Sequence, residues 1–156
     1  METNNKEYLT KEKFRELQEE FEWLQTGRRK ELADNLREAT SLGDLSENAE
    51  YHQAREDQAS VEMRIKELEV ILKNAVIVKQ EKFDTVSAGA TVTVQKKGEK
   101  EEKEFCIVGT QEVDIDQNKI SVTSPLVKAM LGKREGESFS FRSPKGKQEY
   151  KIIGIK

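Results

Sequence analysis

Asp44 and Glu47 are the residues of this 156-residue chain whose types and spacing could most directly do chemistry. They lie in the string GDLSENAEY, which runs from Gly43 to Tyr51. At the start of a helix, this spacing would let Asp44 cap the helix while Glu47 reaches back to the cap residue. Both charges would also suit the positive end of the helix dipole. Helix capping therefore accounts for the spacing without any chemistry.

The same two carboxylates could instead bind a divalent cation. If both lie on one turn at the exposed end of a helical rod, their oxygens could hold Mg²⁺. Two or three protein oxygens are too few to enclose this ion, which keeps waters and takes further ligands from a substrate phosphate or another protein. The motif then predicts half of a metal site. A carboxylate can order a free helix end and still be recruited to a metal, so both interpretations can hold together.

Two long helices would position this motif. From about residue 10 to residue 75 the chain has no proline and is rich in residues that favour helices. After the motif, one series of residues recurs with a spacing of three then four, which is typical of a coiled-coil seam. The series is Tyr51, Ala54, Gln58, Val61, Ile65, Leu68, Leu72 and Ala75.

A matching series precedes the motif, and its phase changes once. It comprises Phe14, Leu17, Phe21 and Leu24, passes Arg28 and resumes at Leu32, Leu36 and Ala39. A phase shift of this kind changes the supercoil locally without ending the helix. Thr10 could cap this first helix, and Gly43, just past the series, suits a left-handed helix end. The chain should turn there, which predicts an antiparallel helical coiled-coil hairpin.

The pattern changes near residue 78. Alternating β-branched segments predict strands around 90–96, 103–109, 119–123, 137–142 and 148–155. Ser124 and Pro125 suit the start of a short helix over 126–131. The sequence therefore predicts an α+β fold with two domains. These are a hairpin over 1–78 with its acidic tip near 43–50, and a small antiparallel sheet domain with one short helix over 79–156, joined by a linker at about 78–88.

Composition narrows the classes of function. Residues 1–78 hold 12 Lys and Arg against 18 Asp and Glu, whereas residues 79–156 hold 15 against 12. Neither half has the large positive excess of a protein that binds nucleic acid tightly by itself. One cysteine excludes an internal disulfide, and one histidine argues against zinc chemistry. Without an apolar span or a secretory signal, we expect a cytoplasmic protein with no membrane partner.

Several strings of the sequence resemble one family, the bacterial Gre transcript-cleavage factors. The tip string here is GDLSENAEYHQARE, and the family's hallmark reads close to GDLSENAEYHAARE. The likeness continues through RIKELE at 64–69, GATVTV at 89–94, ISVTSP at 120–125 and LGK at 131–133. These strings keep their order over nearly the whole chain. The resemblance implies an FKBP-like fold for the second domain, without isomerase activity.

The resemblance also implies a function and a partner. Such factors dock the C-terminal domain at the rim of the RNA polymerase secondary channel and insert the hairpin into it. The tip helps hold a second Mg²⁺ ion and its attacking water, and the polymerase's own site cuts the backtracked nascent RNA at its 3′ end. The chain would be a monomeric elongation factor that rescues arrested complexes and is not itself an enzyme. Mg²⁺ would be bound only in the complex with polymerase and not by the free protein.

Site residues can be carried over by position. Asp44 and Glu47 match the family's functional acidic pair. Arg55 matches one position of a basic patch that is thought to contact the extruded RNA. Another position, usually basic, is Thr40 here, although Arg37 lies one helical turn away and could substitute. A patch this small favours the GreA type, which handles short extruded ends, over the GreB type.

The other tip residues are less determined by the sequence. Ser46 could contact RNA or water, or simply face solvent near the helix start. Asn48 could bridge polar groups, and Glu50 could either act in the motif or satisfy the helix. Tyr51 begins the seam, so we expect it to pack.

Two other functions stay open. A Gre-like homologue could occupy the same channel and only inhibit polymerase, but such relatives carry altered tips, and this tip keeps both carboxylates. A coiled-coil adaptor outside transcription would not need the tip motif, although long helical pairs are common in interaction proteins.

Overall fold

The structure, a computed structural model, describes residues 5–43, 47–79 and 82–156. Its contacts group the chain into two compact units. One unit is a helical hairpin over 14–74, and the other combines the start of the chain, up to Lys13, with 75–156. This division differs from the one expected near residue 78, because the first strand of the chain packs with the sheet domain. The α+β fold class is confirmed.

The hairpin is built from two long helical arms. Its segments are α1 (Lys11–Trp23), a π-helical turn (Leu24–Arg28), α2 (Arg29–Ser41) and, after the tip, α3 (Ala49–Lys73). At the π turn the N–H of Arg29 donates to the carbonyl of Leu24, five residues back instead of four. A turn of this kind absorbs one extra residue, so Leu24 and Leu32 are both buried. The expected phase shift near Arg28 is confirmed, and the π turn is its cause.

Apolar side chains of both arms form the seam of the hairpin. The buried ones are Leu17, Leu24, Leu32, Ala39, Ala54, Ile65, Leu68 and Ile71. The predicted seam is confirmed, with two differences. Ile71 joins the seam beside Leu72, and Ala75 lies beyond the end of α3, in a strand.

Two bidentate ion pairs cross between the arms of the hairpin. The guanidinium of Arg29 donates to both carboxylate oxygens of Glu62 at 2.8 Å each, and Arg64 donates to both oxygens of Glu20 at 2.8 and 3.1 Å. The hydrogen bond from Arg29 lowers the pKa of Glu62 below its ordinary value. Ion pairs this accessible to solvent add little stability, so the buried apolar side chains of the seam contribute most of the energy that holds the arms together.

A two-stranded parallel sheet ties the beginning of the chain to the second unit. β1 (Glu7–Leu9) pairs with β2 (Ala75–Ile77), and Leu9 is fully buried. The Thr10 hydroxyl accepts from the N–H of Lys13, which confirms Thr10 as the cap of α1. Thr10 also donates to Glu112, from its N–H at 3.0 Å and from its hydroxyl at 2.7 Å. Glu112 therefore holds the first turn of α1 in place.

Replacing Glu112 by Gln is expected to destabilise this unit. The amide keeps one acceptor for Thr10 but loses the second oxygen and the negative charge beside the helix N-terminus. We expect a loss of about 1–2 kcal/mol in the free energy of unfolding, measured by urea denaturation. Glu101→Gln, on an exposed residue of the same unit, is the control, and equal stability of both variants would contradict the role of Glu112.

The second unit is a five-stranded sheet covered by one helix. Its elements are β3 (Thr91–Lys96), β4 (Glu102–Val108), β5 (Lys119–Ser121), α4 (Pro125–Met130), β6 (Ser138–Ser143) and β7 (Gly146–Ile155). All five predicted strands and the short helix are confirmed. The strand order is β5-β4-β3-β7-β6. We expected a purely antiparallel sheet, but β5 runs parallel to β4. Two 3₁₀ turns between these strands bring the chain back in the same direction.

One hydrophobic core holds this unit together. Its buried members are Val86, Ala90, Val92, Val94, Ile107, Val127, Met130, Phe139 and Ile152. The Ser124 hydroxyl accepts from the N–H of Val127 at 3.3 Å and so caps α4 as expected. Val86 belongs to the segment expected to be a linker, yet it is buried, and its N–H donates to the carbonyl of Lys133. Nowhere in the described ranges does a helix combine the length and apolarity that crossing a bilayer requires.

Candidate functional site

The acidic motif falls at the turn of the hairpin. The first arm ends at Ser41, and Gly43 has a φ of 114°, a conformation that favours glycine and confirms the expected turn. Asp44 and Ser46 lie outside the residues that the structure describes. Glu47 is exposed and precedes the first residue of α3, Ala49, by two positions. Its carboxylate therefore belongs to the turn and not to the helix.

Asn48 is the residue that caps α3. Its side-chain oxygen accepts from the N–H of Tyr51 at 3.1 Å, and its extended backbone is typical of a cap. The predicted capping box of Asp44 and Glu47 is wrong, because a reaching Glu must lie three residues after the cap and Glu47 lies before it. Helix capping therefore does not explain why a carboxylate stands at position 47.

Asn48 also connects the two arms at the tip. Its side-chain amide donates to the carbonyl of Ala39, near the end of α2, at 2.6 Å. One side chain thus bonds a carbonyl of the first arm, which also accepts from the N–H of Leu42 at 3.2 Å, and an N–H in the first turn of the second arm. Among the roles left open by the sequence, this bridge is the one observed. It fixes the backbone that leads directly to Glu47.

Substitutions at Asn48 should separate the two bonds of this bridge. Asn48→Ala removes both and is expected to cost about 1–2 kcal/mol in the free energy of unfolding of the hairpin. Asn48→Asp keeps the acceptor for Tyr51 but loses the donor to Ala39, so its loss should be smaller. Urea denaturation followed by circular dichroism measures both. Gln53→Ala is the control, since Gln53 is exposed and its side chain donates within α3, to Asp57 at 2.9 Å; a loss as large as that of Asn48→Ala would refute the bridge.

The surroundings of Glu47 combine acidic and apolar groups. An open depression at the tip is lined by Leu42, Glu47, Asn48, Ala49 and Glu50. Leu42 is 63% exposed, and Glu50 is exposed in the first turn of α3. Carboxylate oxygens are the donors that Mg²⁺ prefers, so the donor type fits this ion. Within the described residues, no group of three or more His, Cys, Asp or Glu is arranged to hold a metal.

The basic residues singled out by the sequence lie on both arms. Arg37 is exposed on α2, and Arg55 is exposed on α3, where it donates to Gln58 at 3.2 Å. Each lies within about two helical turns of the tip. Thr40 is neutral, and its hydroxyl donates to the carbonyl of Leu36 at 2.7 Å. The usual positive charge at this position is therefore absent. Tyr51 is half-buried, in agreement with the expected packing.

Two family models of known proteins match this chain. The family model described as "Transcription elongation factor, N-terminal" matches residues 7–77, and the one described as "Transcription elongation factor, GreA/GreB, C-term" matches residues 79–156. The chain belongs to the GreA/GreB family of transcription elongation factors. Together the two models match nearly the whole chain of this family member.

Individual relatives agree with this family. Transcription elongation factor GreA of Caldanaerobacter subterraneus subsp. tengcongensis is 46% identical over 150 residues, covering 95% of this chain and 96% of the relative. GreA of Clostridium acetobutylicum is 43% identical over 158 aligned positions, covering both proteins fully. Among solved structures, GreA factor homolog 1 of Thermus thermophilus is 30% identical, covers 97% of this chain and 99% of that chain, and has a TM-score of 0.45. The two GreA relatives, at 46% and 43% identity, confirm the resemblance to the GreA type.

One of the two interpretations of the tip gave the cap of α3 to Asp44, whereas Asn48 is the cap. Asp, Ser and Asn are all preferred at helix starts, and the string from Asp44 to Asn48 contains one of each. A signal for the correct choice was present, because the seam begins at Tyr51 and a cap at Asn48 lies three residues before it. Reading the helix phase back from the seam would have identified Asn48.

Proposed function

We propose that the chain binds RNA polymerase, inserts its hairpin into the secondary channel and stimulates the polymerase's own cleavage of backtracked nascent RNA. The observation that carries this proposal is the match to the GreA/GreB family over both units, with GreA relatives aligned along the whole chain. On this proposal the chain is an accessory factor, works as a monomer and is not itself an enzyme.

The hairpin suits the delivery of a carboxylate to a distant site. α3 has 25 residues, which corresponds to a rise of about 38 Å. Glu47 stands at its far end, exposed and next to the bridge that Asn48 makes between the arms. A side chain on a rigid support reaches its target in a defined position, which is what catalysis by positioning requires. Removing Glu47 should not unravel α3, since Asn48 caps the helix.

Asp44 and Glu47 would contribute oxygen ligands to a Mg²⁺ ion shared with polymerase. When bound, such an ion activates a water and spreads the negative charge that develops on the phosphate. Two tip carboxylates leave most of the coordination shell to water, RNA and polymerase. The free protein would therefore hold no Mg²⁺. Ser46 in the tip, and Arg37 and Arg55 beside it, would contact the extruded RNA 3′ end, weakly because only two arginines are involved.

A cleavage assay tests this function. Stalled, backtracked polymerase carrying RNA labelled at the 3′ end is mixed with the protein and Mg²⁺. Short 3′ fragments should be released, and the remaining RNA should be extended when nucleotides are added. The protein without polymerase should cut nothing. Slower elongation without released fragments would identify an inhibitor of the same channel, and absence of polymerase binding would favour an adaptor outside transcription.

A further inference from the structure

Trp23 is presented on the surface of the hairpin at the end of α1. It is the chain's single tryptophan and is 55% exposed. The indole lies against Gly27, one helical turn further on, because a Cβ at position 27 would be 3.1 Å from both Cδ1 and Nε1 of the ring. The five-membered ring thus rests on the helix backbone, and much of the remaining aromatic surface is open to solvent.

The combination of Trp23 and Gly27 is unfavourable for an isolated hairpin. Glycine inside a helix lowers its stability, and an indole that is 55% exposed gains only part of the stabilisation that full burial would give. An alanine at position 27 would favour the helix but crowd the ring at its observed position. Tryptophan is among the residues that most often dominate the energy of protein interfaces. The arrangement is therefore expected to gain its stabilisation from a partner.

The charges around Trp23 indicate the chemistry of that partner. Glu19 and Glu20 lie four and three residues before Trp23 and so share its side of α1. Arg64 donates to Glu20 and also to Glu67, at 3.2 Å, so one guanidinium serves two carboxylates. Over residues 14–74 the hairpin has 9 Lys and Arg against 15 Asp and Glu. Such a surface repels phosphates and attracts cations.

We propose that Trp23, Glu19 and the Glu20–Arg64–Glu67 network form a docking surface, the Trp23 surface, for an arginine-bearing wall of RNA polymerase. The partner's guanidinium would stack on the exposed part of the indole and donate to Glu19, as arginine does at aromatic and acidic sites. This inference rests on the proposed function, because it takes polymerase as the partner. It adds a contact on the arm of the hairpin that is separate from the tip.

The single tryptophan allows a direct test in the full chain. Trp23 is replaced biosynthetically by 5-hydroxytryptophan, which can be excited at wavelengths where the polymerase's own tryptophans absorb little. Quenching by acrylamide is measured for the free protein and with core polymerase, while binding is followed separately by size-exclusion chromatography. The label should be readily quenched in the free protein and strongly protected in the complex.

Variants test whether the Trp23 surface contributes to affinity. Trp23→Ala is expected to weaken polymerase binding about tenfold, and Glu19→Lys should weaken it through charge repulsion. Gly27→Ala displaces the ring without removing it and should fall between Trp23→Ala and the unchanged protein. Met63→Ala is the matched control, since Met63 is 65% exposed on α3, and should bind normally. Circular dichroism should show equal helix content in all four.

Three outcomes would overturn the proposal. Unchanged quenching in a chain that binds polymerase would show that Trp23 stays in solvent, while the proposed function would stand. Protection only in backtracked complexes, and not with core polymerase, would make RNA the occupant. A chain that does not bind polymerase at all would remove the proposed function together with this inference.

Discussion

Glu47→Ala should abolish the stimulation of RNA cleavage while leaving polymerase binding almost unchanged. The exposed carboxylate stands at the turn of the hairpin, and the proposed mechanism uses it as an oxygen ligand for the shared Mg²⁺ ion. Loss of a group that stabilises the transition state typically lowers the rate by about 10²–10³-fold. Glu47→Gln should lose nearly as much, because the amide keeps the shape but not the charge. Rates of fragment release from backtracked complexes measure both.

A stability measurement distinguishes this role from a purely structural one. Asn48, not Glu47, caps α3, so Glu47→Ala should keep the helix content and the unfolding midpoint of the unchanged protein. Glu56→Ala removes an exposed carboxylate further along α3 and should leave cleavage normal. If the Glu47 variants lost helix content and cleavage in proportion, the carboxylate would be structural and the proposed mechanism would be wrong.

Gly109→Ala is expected to destabilise the second unit strongly. An added Cβ would lie 1.8 Å from the carbonyl oxygen of Tyr8 and 2.8 Å from its carbonyl carbon. Both are backbone atoms of β1, so no side-chain rotation can relieve the clash. The strand would have to move, which would break its contact with the unit and the bonds of Thr10 to Glu112. We expect a loss of about 3 kcal/mol or more in the free energy of unfolding.

Urea denaturation of the full chain, followed by circular dichroism, measures this loss. Gly154→Ala is the matched control, because a Cβ at Gly154, also in the second unit, meets no heavy atom within 4 Å. That variant should unfold near the midpoint of the unchanged protein. Equal stability of Gly109→Ala would show that β1 can separate from the unit without cost, contrary to the close contact at Tyr8.

Features with a regular period could be predicted from the sequence. The seam follows from spacings of three and four, and even the π turn left a trace, one extra residue between Leu24 and Leu32. The five main strands follow from alternation with turn residues between them. The pairing of β1 with β2 could not be predicted, because two strands of three residues each carry no period and Glu7 meets Ala75 far along the chain.

The candidate site was predicted in position but not in detail. The sequence located the acidic turn of the hairpin and its family, yet its capping interpretation placed the cap of α3 at Asp44 instead of Asn48. Adjacent residues with similar cap preferences can be distinguished only by the helix phase and by the partner across the turn, here the carbonyl of Ala39. Trp23 was passed over because an aromatic residue outside the seam series gives no periodic signal.

The bonds of Thr10 to Glu112, just after β1, have a consequence for the order in which parts of the protein can fold during synthesis. The bonds between Thr10 and Glu112 join residues 102 positions apart, so the start of α1 waits for its carboxylate partner until most of the chain has left the ribosome. The seam of the hairpin needs only residues up to Lys73 and can close earlier, since nearby contacts form faster than distant ones. Residues 7–10 should therefore reach their native places later than the seam of the hairpin.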